Sequence, residues 1–338
     1  MKAVICEAWG APDTLRVGEL PLPEPGQGQV RVRVHAAAVN FPDALMVAGR
    51  YQFRPEFPFS PGLEFSGTVS ATGEGVSAPK VGDKVVGTAP FGAWAEEVLA
   101  DAGHVTALPG DTGDAQLELA SSFLLTYGTS YHALKDRAGA RPGETLLVLG
   151  AGGGVGLAAV ELGRKMGLRV IAAASSQDKR AAARSRGADE AIDSTAEDFR
   201  DQVKALAGRR GVAIVYDPVG GDLTEAALRT LAWGGRHLVV GFAAGDIPKP
   251  PANLLLLKGA SLVGVFWGEF VRREPEASAA NARQLLAWLR EGALQPLVSR
   301  RYPLEQAPAA LDALLGREAV GKLVILPDQD GQDGGGAA

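Results

Sequence analysis

From Leu146 to Ala159 the chain reads Leu-Leu-Val-Leu-Gly-Ala-Gly-Gly-Gly-Val-Gly-Leu-Ala-Ala. An apolar, branched run ends in a glycine-rich turn, and helix-forming residues follow. The chemistry this order supports is phosphate binding. Glycines let the backbone approach a pyrophosphate, and the unpaired N–H groups of a first helical turn offer it a partial positive charge. Gly153, Gly154, Val155 and Gly156 are therefore the candidate pyrophosphate-binding residues. Their spacing fits the dinucleotide fingerprint with alanine in the first place, as Ala151-x-Gly153-x-x-Gly156. A second apolar run at 169–175 follows a helix-length segment at 157–166, completing a βαβ unit.

The end of that second run selects the cofactor. An NAD site places Asp or Glu there, about 20 residues beyond the glycines, to accept the ribose 2′-hydroxyl. Here the place holds Ser175, Ser176 and Gln177. Two small hydroxyls admit a 2′-phosphate that a carboxylate would repel. Lys179 and Arg180 follow, and either cation can pair with a phosphate. The alternative for both is a solvated place in the first turn of a helix. The expected cofactor is NADPH.

A phosphate turn of this kind needs a parallel sheet behind it. Strand patterns at 146–149, 170–174, 213–216, 237–240 and 262–265 alternate with helical ones, which describes a doubly wound α/β domain. The first 120 or so residues differ. They are rich in Gly, Pro and Val, and residues 29–35 alternate Gln-Val-Arg-Val-Arg-Val-His as a half-buried strand does. After about 270 come a helix at 279–291, a short β segment near 301–302, a helix at 305–315 and a last strand at 322–326. This pattern assigns 121–269 to the nucleotide-binding domain. Residues 1–120 and 270–327 form the second, β-rich domain, and 328–338 a disordered Gly- and Asp-rich tail.

The 338 residues suit two domains. A net charge of −5 gives no electrostatic footprint for nucleic acid. No apolar run approaches the ~18 residues of a membrane span, and the N-terminus lacks signal-peptide shape. One cysteine, Cys6, excludes an internal disulfide and a cysteine-rich zinc site. The expected location is the cytoplasm.

Several short stretches carry a resemblance. They are residues 38–43 (Ala-Val-Asn-Phe-Pro-Asp), Gly49-Arg-Tyr51, residues 59–67 with Pro61-Gly62-Leu63-Glu64, Val81-Gly82-Asp83, Leu125-Thr126-Tyr-Gly-Thr129, the glycine turn and Gly187-Ala188-Asp189. Together they resemble the zinc-independent medium-chain dehydrogenase/reductases, in particular the NADPH:quinone oxidoreductase group, over residues 1–327. The resemblance implies a GroES-like β domain and a Rossmann domain. Zinc-dependent relatives place a cysteine ligand where this chain has Asn40 and a histidine where it has Leu63. A catalytic zinc needs three N, S or carboxylate ligands. His35, His104, His132 and His237 show no ligand spacing and read as structural or surface residues. No metal is expected.

The same resemblance supplies the remaining candidates. Enoyl-thioester reductases of the superfamily carry their catalytic tyrosine at Tyr51, whose phenol can donate to a developing enolate; the alternative is an aromatic wall. A second tyrosine known from some quinone reductases falls at Leu45 and is missing. Asn40 offers an amide to the nicotinamide ribose or the substrate, or else caps a loop. Thr126 and Thr129 resemble contacts to the nicotinamide end, or bond back within a helix. Asp43 and Glu64 read either as a general acid/base pair or, as the resemblance implies, as residues that order the loop and the former metal pocket. Gly241, Phe242 and Ala243 follow a sheet strand on the ligand-binding side. Phe266 and Trp267 follow the last strand, as a pocket wall or as a core or dimer contact. Lys322 matches a position that reaches the cofactor, or is solvated.

These readings converge on an oxidoreductase that passes hydride from NADPH to a quinone or an α,β-unsaturated carbonyl, without zinc. The alternatives are an enoyl-thioester (enoyl-CoA) reductase and a non-catalytic NADPH-binding relative with a structural or RNA-binding role. The expected partners are a small-molecule substrate and a second copy of the chain paired through residues 261–265, with no nucleic acid and no membrane.

Overall fold

The computed structural model describes residues 1–327; the tail expected at 328–338 lies outside the described residues. The chain forms two compact units, residues 1–125 with 297 onward, and residues 126–296.

The first unit is built on strand Gln29–Val39. Val30, Val32 and Val34 are buried while the residues between them face outward, and from Ala36 every residue is buried. The alternation marks a sheet covered on one face; its loss marks cover on both. One side of this strand pairs antiparallel with Glu64–Thr72. The other side is shared, its first half pairing with Glu97–Asp101 and its last three residues with Leu323–Ile325. The chain's last described strand, Lys322–Leu326, is thereby inserted beside residues nearly 300 positions earlier. It pairs in turn with Val298–Pro303. Helix Ala307–Leu315 covers this sheet with Ala307, Ala310, Leu311 and Ala313, the spacing of one helical face.

The second unit is a six-stranded parallel sheet ordered Glu190–Asp193, Arg169–Ala174, Thr145–Leu149, Val212–Asp217, Leu231–Val239, Ser261–Gly264. In chain order that is 3-2-1-4-5-6, so the direction of winding reverses between Thr145–Leu149 and Val212–Asp217. Ligands of such sheets bind outside the strand ends at this reversal. Leu146, Leu147, Val148 and Leu149 are all fully buried, as a strand covered on both faces requires. The strand Glu190–Asp193 is too short and too acidic for its pattern to stand out in the sequence.

The boundary expected at 270 moves to 296. Helices Trp267–Arg273 and Pro275–Arg290 are bound to the second unit by their side chains. Asn281 donates to Asp136 (2.8 Å) and accepts from Lys135 (2.8 Å). Phe270 stacks on His132 at 3.9 Å, and Trp288 meets the Tyr131 ring edge-on. None of these pairings leaves a local signal in the sequence.

Candidate functional site

The glycine turn joins Thr145–Leu149 to helix Gly154–Lys165 at the winding reversal. Its departure from the strict fingerprint has a geometric reason. The left-handed conformation falls on Gly150 (φ +60°), one place before Ala151, so alanine carries no strain. Gly156 is required sterically, because a Cβ there would lie 2.2 Å from the Gly150 carbonyl oxygen. Gly153 differs. A Cβ there would come no closer than 3.6 Å to any described atom outside its chain neighbours, so its outer face is open. No side chain among the described residues caps this helix at Gly153. An open glycine before uncapped N–H groups fits a pyrophosphate.

The structure separates the two cations beyond the second strand. Arg180 is held by Asp193 (2.9 Å) and the Ala174 carbonyl (3.1 Å). Lys179 lies across the glycine turn, where a Cβ on Gly152 would meet the Lys179 Cβ at 2.4 Å. Ser175 and Ser176 are exposed, and Ser176 caps helix Gln177–Ser185 by accepting from the Lys179 N–H.

Thr126 and Thr129 sit on helix Leu124–Tyr131, Thr126 buried and Thr129 partly exposed. Ser130 on this helix donates to the Val155 carbonyl (3.0 Å) and shares a hydrogen bond with the Tyr216 hydroxyl (2.8 Å). The Trp267 ring lies against Gly128, with atoms 2.8 Å from where a Cβ would stand. Helix Leu124–Tyr131, which carries both threonines, is thus in contact with the helix that follows the glycine turn and with Trp267. Phe266 itself is half exposed.

Gly241, Phe242 and Ala243 are held by the turn after strand Val212–Asp217. The N–H groups of Val240 and Gly241 donate to the Asp217 carbonyl, Ala243 to Pro218 and Ala244 to Val219. Sequence reasoning missed Asp217 and read its partner His237 as an ordinary structural residue. The run Asp217-Pro-Val-Gly-Gly is an Asx-type turn signature and could have drawn attention to it.

In the first unit Asn40, Asp43, Glu64 and Lys322 form a buried polar cluster. Asn40 stands at the N-terminus of helix Phe41–Val47, but its side chain makes no cap. The carboxamide donates to Glu64 Oε2 (3.2 Å) and accepts from Lys322 Nζ. Lys322 also donates to the Val39 carbonyl (3.1 Å) and lies 3.9 Å from Glu64. It is 5% exposed, which removes the solvated alternative. Glu64 accepts from the Leu125 N–H (2.9 Å), and Asp43 from the Asn40 N–H (2.7 Å). Burial pushes the Asp43 carboxyl up to about 7, against the pull of Asn40 and Lys322. Burial also raises Glu64 and lowers Lys322. Tyr51 is half-buried, its N–H on the Leu45 carbonyl. Burial, and then the Asp43 charge, raise its phenol above the ordinary value.

Two family models match this chain. One, described as the alcohol dehydrogenase GroES-like domain, covers residues 26–110, and the other, zinc-binding dehydrogenase, covers 154–286. The chain is 39% identical to quinone oxidoreductase-like protein 2 of Bos taurus, over 86% of this chain and 83% of that protein. It is 31% identical to the Homo sapiens quinone oxidoreductase over 96% of this chain and 98% of that protein. The structure of Escherichia coli quinone oxidoreductase complexed with NADPH superposes with a TM-score of 0.89 at 26% identity, covering 97% of this chain and all of that one. With the strand order, the glycine turn and matches that run nearly end to end, the chain belongs to the quinone oxidoreductase group of the medium-chain dehydrogenase/reductase family.

Proposed function

We propose that this protein is an NADPH-dependent, zinc-independent oxidoreductase whose acceptor is a quinone or an α,β-unsaturated carbonyl. The observation that carries the reading is the open Gly153 turn with Lys179 laid across Gly152 and no carboxylate at the end of strand Arg169–Ala174. That arrangement suits a pyrophosphate and a 2′-phosphate. Bound NADPH supplies the hydride. The chain's own groups then have defined tasks. The N–H groups of residues 154–156 hold the pyrophosphate. Lys179 and the Ser175 and Ser176 hydroxyls receive the 2′-phosphate. Thr126, Thr129 and the backbone of Gly241–Ala243 orient the nicotinamide end. Tyr51, a phenol that is protonated at neutral pH and that burial raises further, donates a hydrogen bond to the acceptor oxygen as negative charge grows there.

Zinc independence is supported by the residues at the ligand positions. Asn40 is committed to Lys322 and Glu64, Leu63 is apolar, and among the described residues no three His, Cys, Asp or Glu side chains converge as ligands. The test is NADPH oxidation by metal-free protein with 1,4-benzoquinone, 9,10-phenanthrenequinone, a simple enone and crotonyl-CoA, with NADH in parallel. Turnover unchanged by chelators is expected, and turnover that appears only with added zinc would refute it. If the enone or thioester is reduced, Tyr51→Phe lowers kcat by about 100-fold; quinone turnover alone, with Tyr51→Phe active, makes Tyr51 a wall.

We further propose a homodimer through the outer edge of the six-stranded sheet. Strand Ser261–Gly264 pairs on one side only among the described residues. Around it Leu256 and Leu257 on helix Ala252–Lys258 and Trp233 are at least 70% exposed. An apolar edge of this kind is covered in a stable assembly. Light scattering should give twice the chain mass, and Leu256→Glu with Leu262→Lys should give one.

A further inference from the structure

Asp217 ends the strand on one side of the winding reversal, and it is 3% exposed. Its carboxylate accepts four hydrogen bonds. Oδ1 takes the N–H groups of Val219 (2.9 Å) and Gly220 (2.8 Å). Oδ2 takes the Thr224 hydroxyl (2.6 Å) and meets His237 Nε2 at 2.9 Å. That fills the capacity of a carboxylate. With Asp217 an acceptor on every side, His237 must carry its hydrogen on Nε2; its Nδ1 is buried with no hydrogen-bond partner. Burial raises the Asp217 carboxyl, but the His237 bond and charge, Thr224 and Gly220 outweigh it and hold the group below the ordinary carboxylate value.

The turn so fixed touches both ends of the proposed cofactor site. On one side Val219 presses on the phosphate turn, where a Gly150 Cβ would lie 2.8 Å from its methyl. On the other, Phe242 closes on Gly220, where a Cβ would lie 3.0 Å from the ring. The carbonyls of residues 217, 218 and 219 meanwhile carry residues 240, 241, 243 and 244. The carboxylate therefore fixes a turn on which the 240–244 loop hangs by four N–H bonds, whereas the phosphate turn only touches it and is held by its own bonds, Gly153 N–H to Gly150 and Ala151 N–H to Ala173.

We propose that Asp217, locked by His237 and Thr224, is a positioning residue that holds the 240–244 loop in register with the phosphate turn for the nicotinamide half of NADPH. In this role Asp217 acts through the turn and the loop rather than on the cofactor. The proposal rests on the assignment of Gly241–Ala243 to the nicotinamide end. It separates the two halves of the cofactor energetically, because the adenine half uses Gly153–Gly156, Ser175 and Lys179, which the carboxylate does not hold.

Titration calorimetry with NADPH and with 2′,5′-ADP, which lacks the nicotinamide, tests it. Asp217→Asn places an amide N–H₂ against donors on one side of the clamp. The NADPH Kd should rise about tenfold or more while the 2′,5′-ADP Kd changes less than about twofold. Thr224→Val should repeat this pattern more weakly, and Thr224→Ser, which keeps the hydroxyl, should restore wild-type NADPH affinity; this pair serves if Asp217→Asn does not fold. Equal loss of both ligands would make the clamp merely structural and overturn the proposal, as would no loss of either. Gly241→Val, which strikes the loop directly, checks the underlying assignment. If it leaves NADPH affinity unchanged, the loop does not serve the nicotinamide and that reading fails first.

Discussion

The cofactor edge of the second unit and the buried cluster of the first contain the same kind of group in opposite states. Asp217 and Asp43 are both buried carboxylates. Asp217 accepts four hydrogen bonds and is held low; Asp43 accepts one full bond, its Oδ1 has no partner, and the Gly62 N–H exerts only the smallest pull on it. Burial acts on both, so burial does not decide the charge. The number of donors arranged around the carboxylate does. Asp217 takes two of its donors from backbone two and three residues on, and the Thr224 and His237 side chains supply the others from within 20 positions. The cluster depends on one lysine, which bonds Asn40 across 282 positions of sequence.

The largest effect expected is on that lysine. Lys322→Met leaves Glu64 and Asp43 without a cation and should cost about 3–5 kcal/mol by urea denaturation. Adding Glu64→Gln should recover part of the loss, since the pair is then removed together. A single-variant cost below about 1 kcal/mol would mean that the cluster is not charge-balanced through Lys322.

The glycine turn sharpens the contrast from the other side. Gly156→Ala drives a methyl into the Gly150 carbonyl and should cost about 1–3 kcal/mol of stability. Gly153→Ala meets open space, so its stability cost should stay near or below about 1 kcal/mol. It should nonetheless weaken NADPH binding, because the methyl occupies the approach of the pyrophosphate. Equal behaviour of the two variants would remove the distinction between packing glycine and ligand glycine.

The two aspartates should also answer pH in opposite directions. The folded pKa of Asp43, about 7, lies above its ordinary value of 3.8, so its contribution is fully present below about pH 4 and is lost as pH rises through 7. Asp217 is lowered, so its contribution is present above the ordinary carboxylate value and lost as pH falls through its folded value. Asp43→Asn should flatten the stability profile between about pH 4 and 7, where one proton is worth at most about 1.4 kcal/mol per pH unit. Asp217→Asn should flatten only the acid limb. Coincident profiles would show that the donors do not set the two states apart.

A smaller effect is expected at Lys179. Lys179→Ala should raise the NADPH Kd about tenfold and leave NADH unchanged. Equal loss of both would place the lysine on the pyrophosphate.

Much of the fold was legible because its signals are local. The 146–156 run displays a buried strand, a turn and a helix start within one window, and residues 29–35 alternate because one sheet face is wet. What was not legible was partnership at a distance. The sequence pattern places the segment from 270 onward with the β-rich domain, and only the Asn281–Asp136 and Phe270–His132 pairings bring its helices to the second unit instead. Lys322 could be read as solvated because nothing near it in sequence announces Asn40 or Glu64. Arg180 and Lys179 looked equivalent until Asp193 claimed one of them.

The sequence alone determined the glycine turn between a buried strand and a helix and the absence of an acid at the end of the next strand, since both follow from backbone freedom and residue type within about 30 positions. Only the tertiary structure decided which buried carboxylate is paired and which cation faces the turn. Those outcomes depend on donors delivered from other strands and helices, and a hydrogen bond needs its partner within about 3 Å.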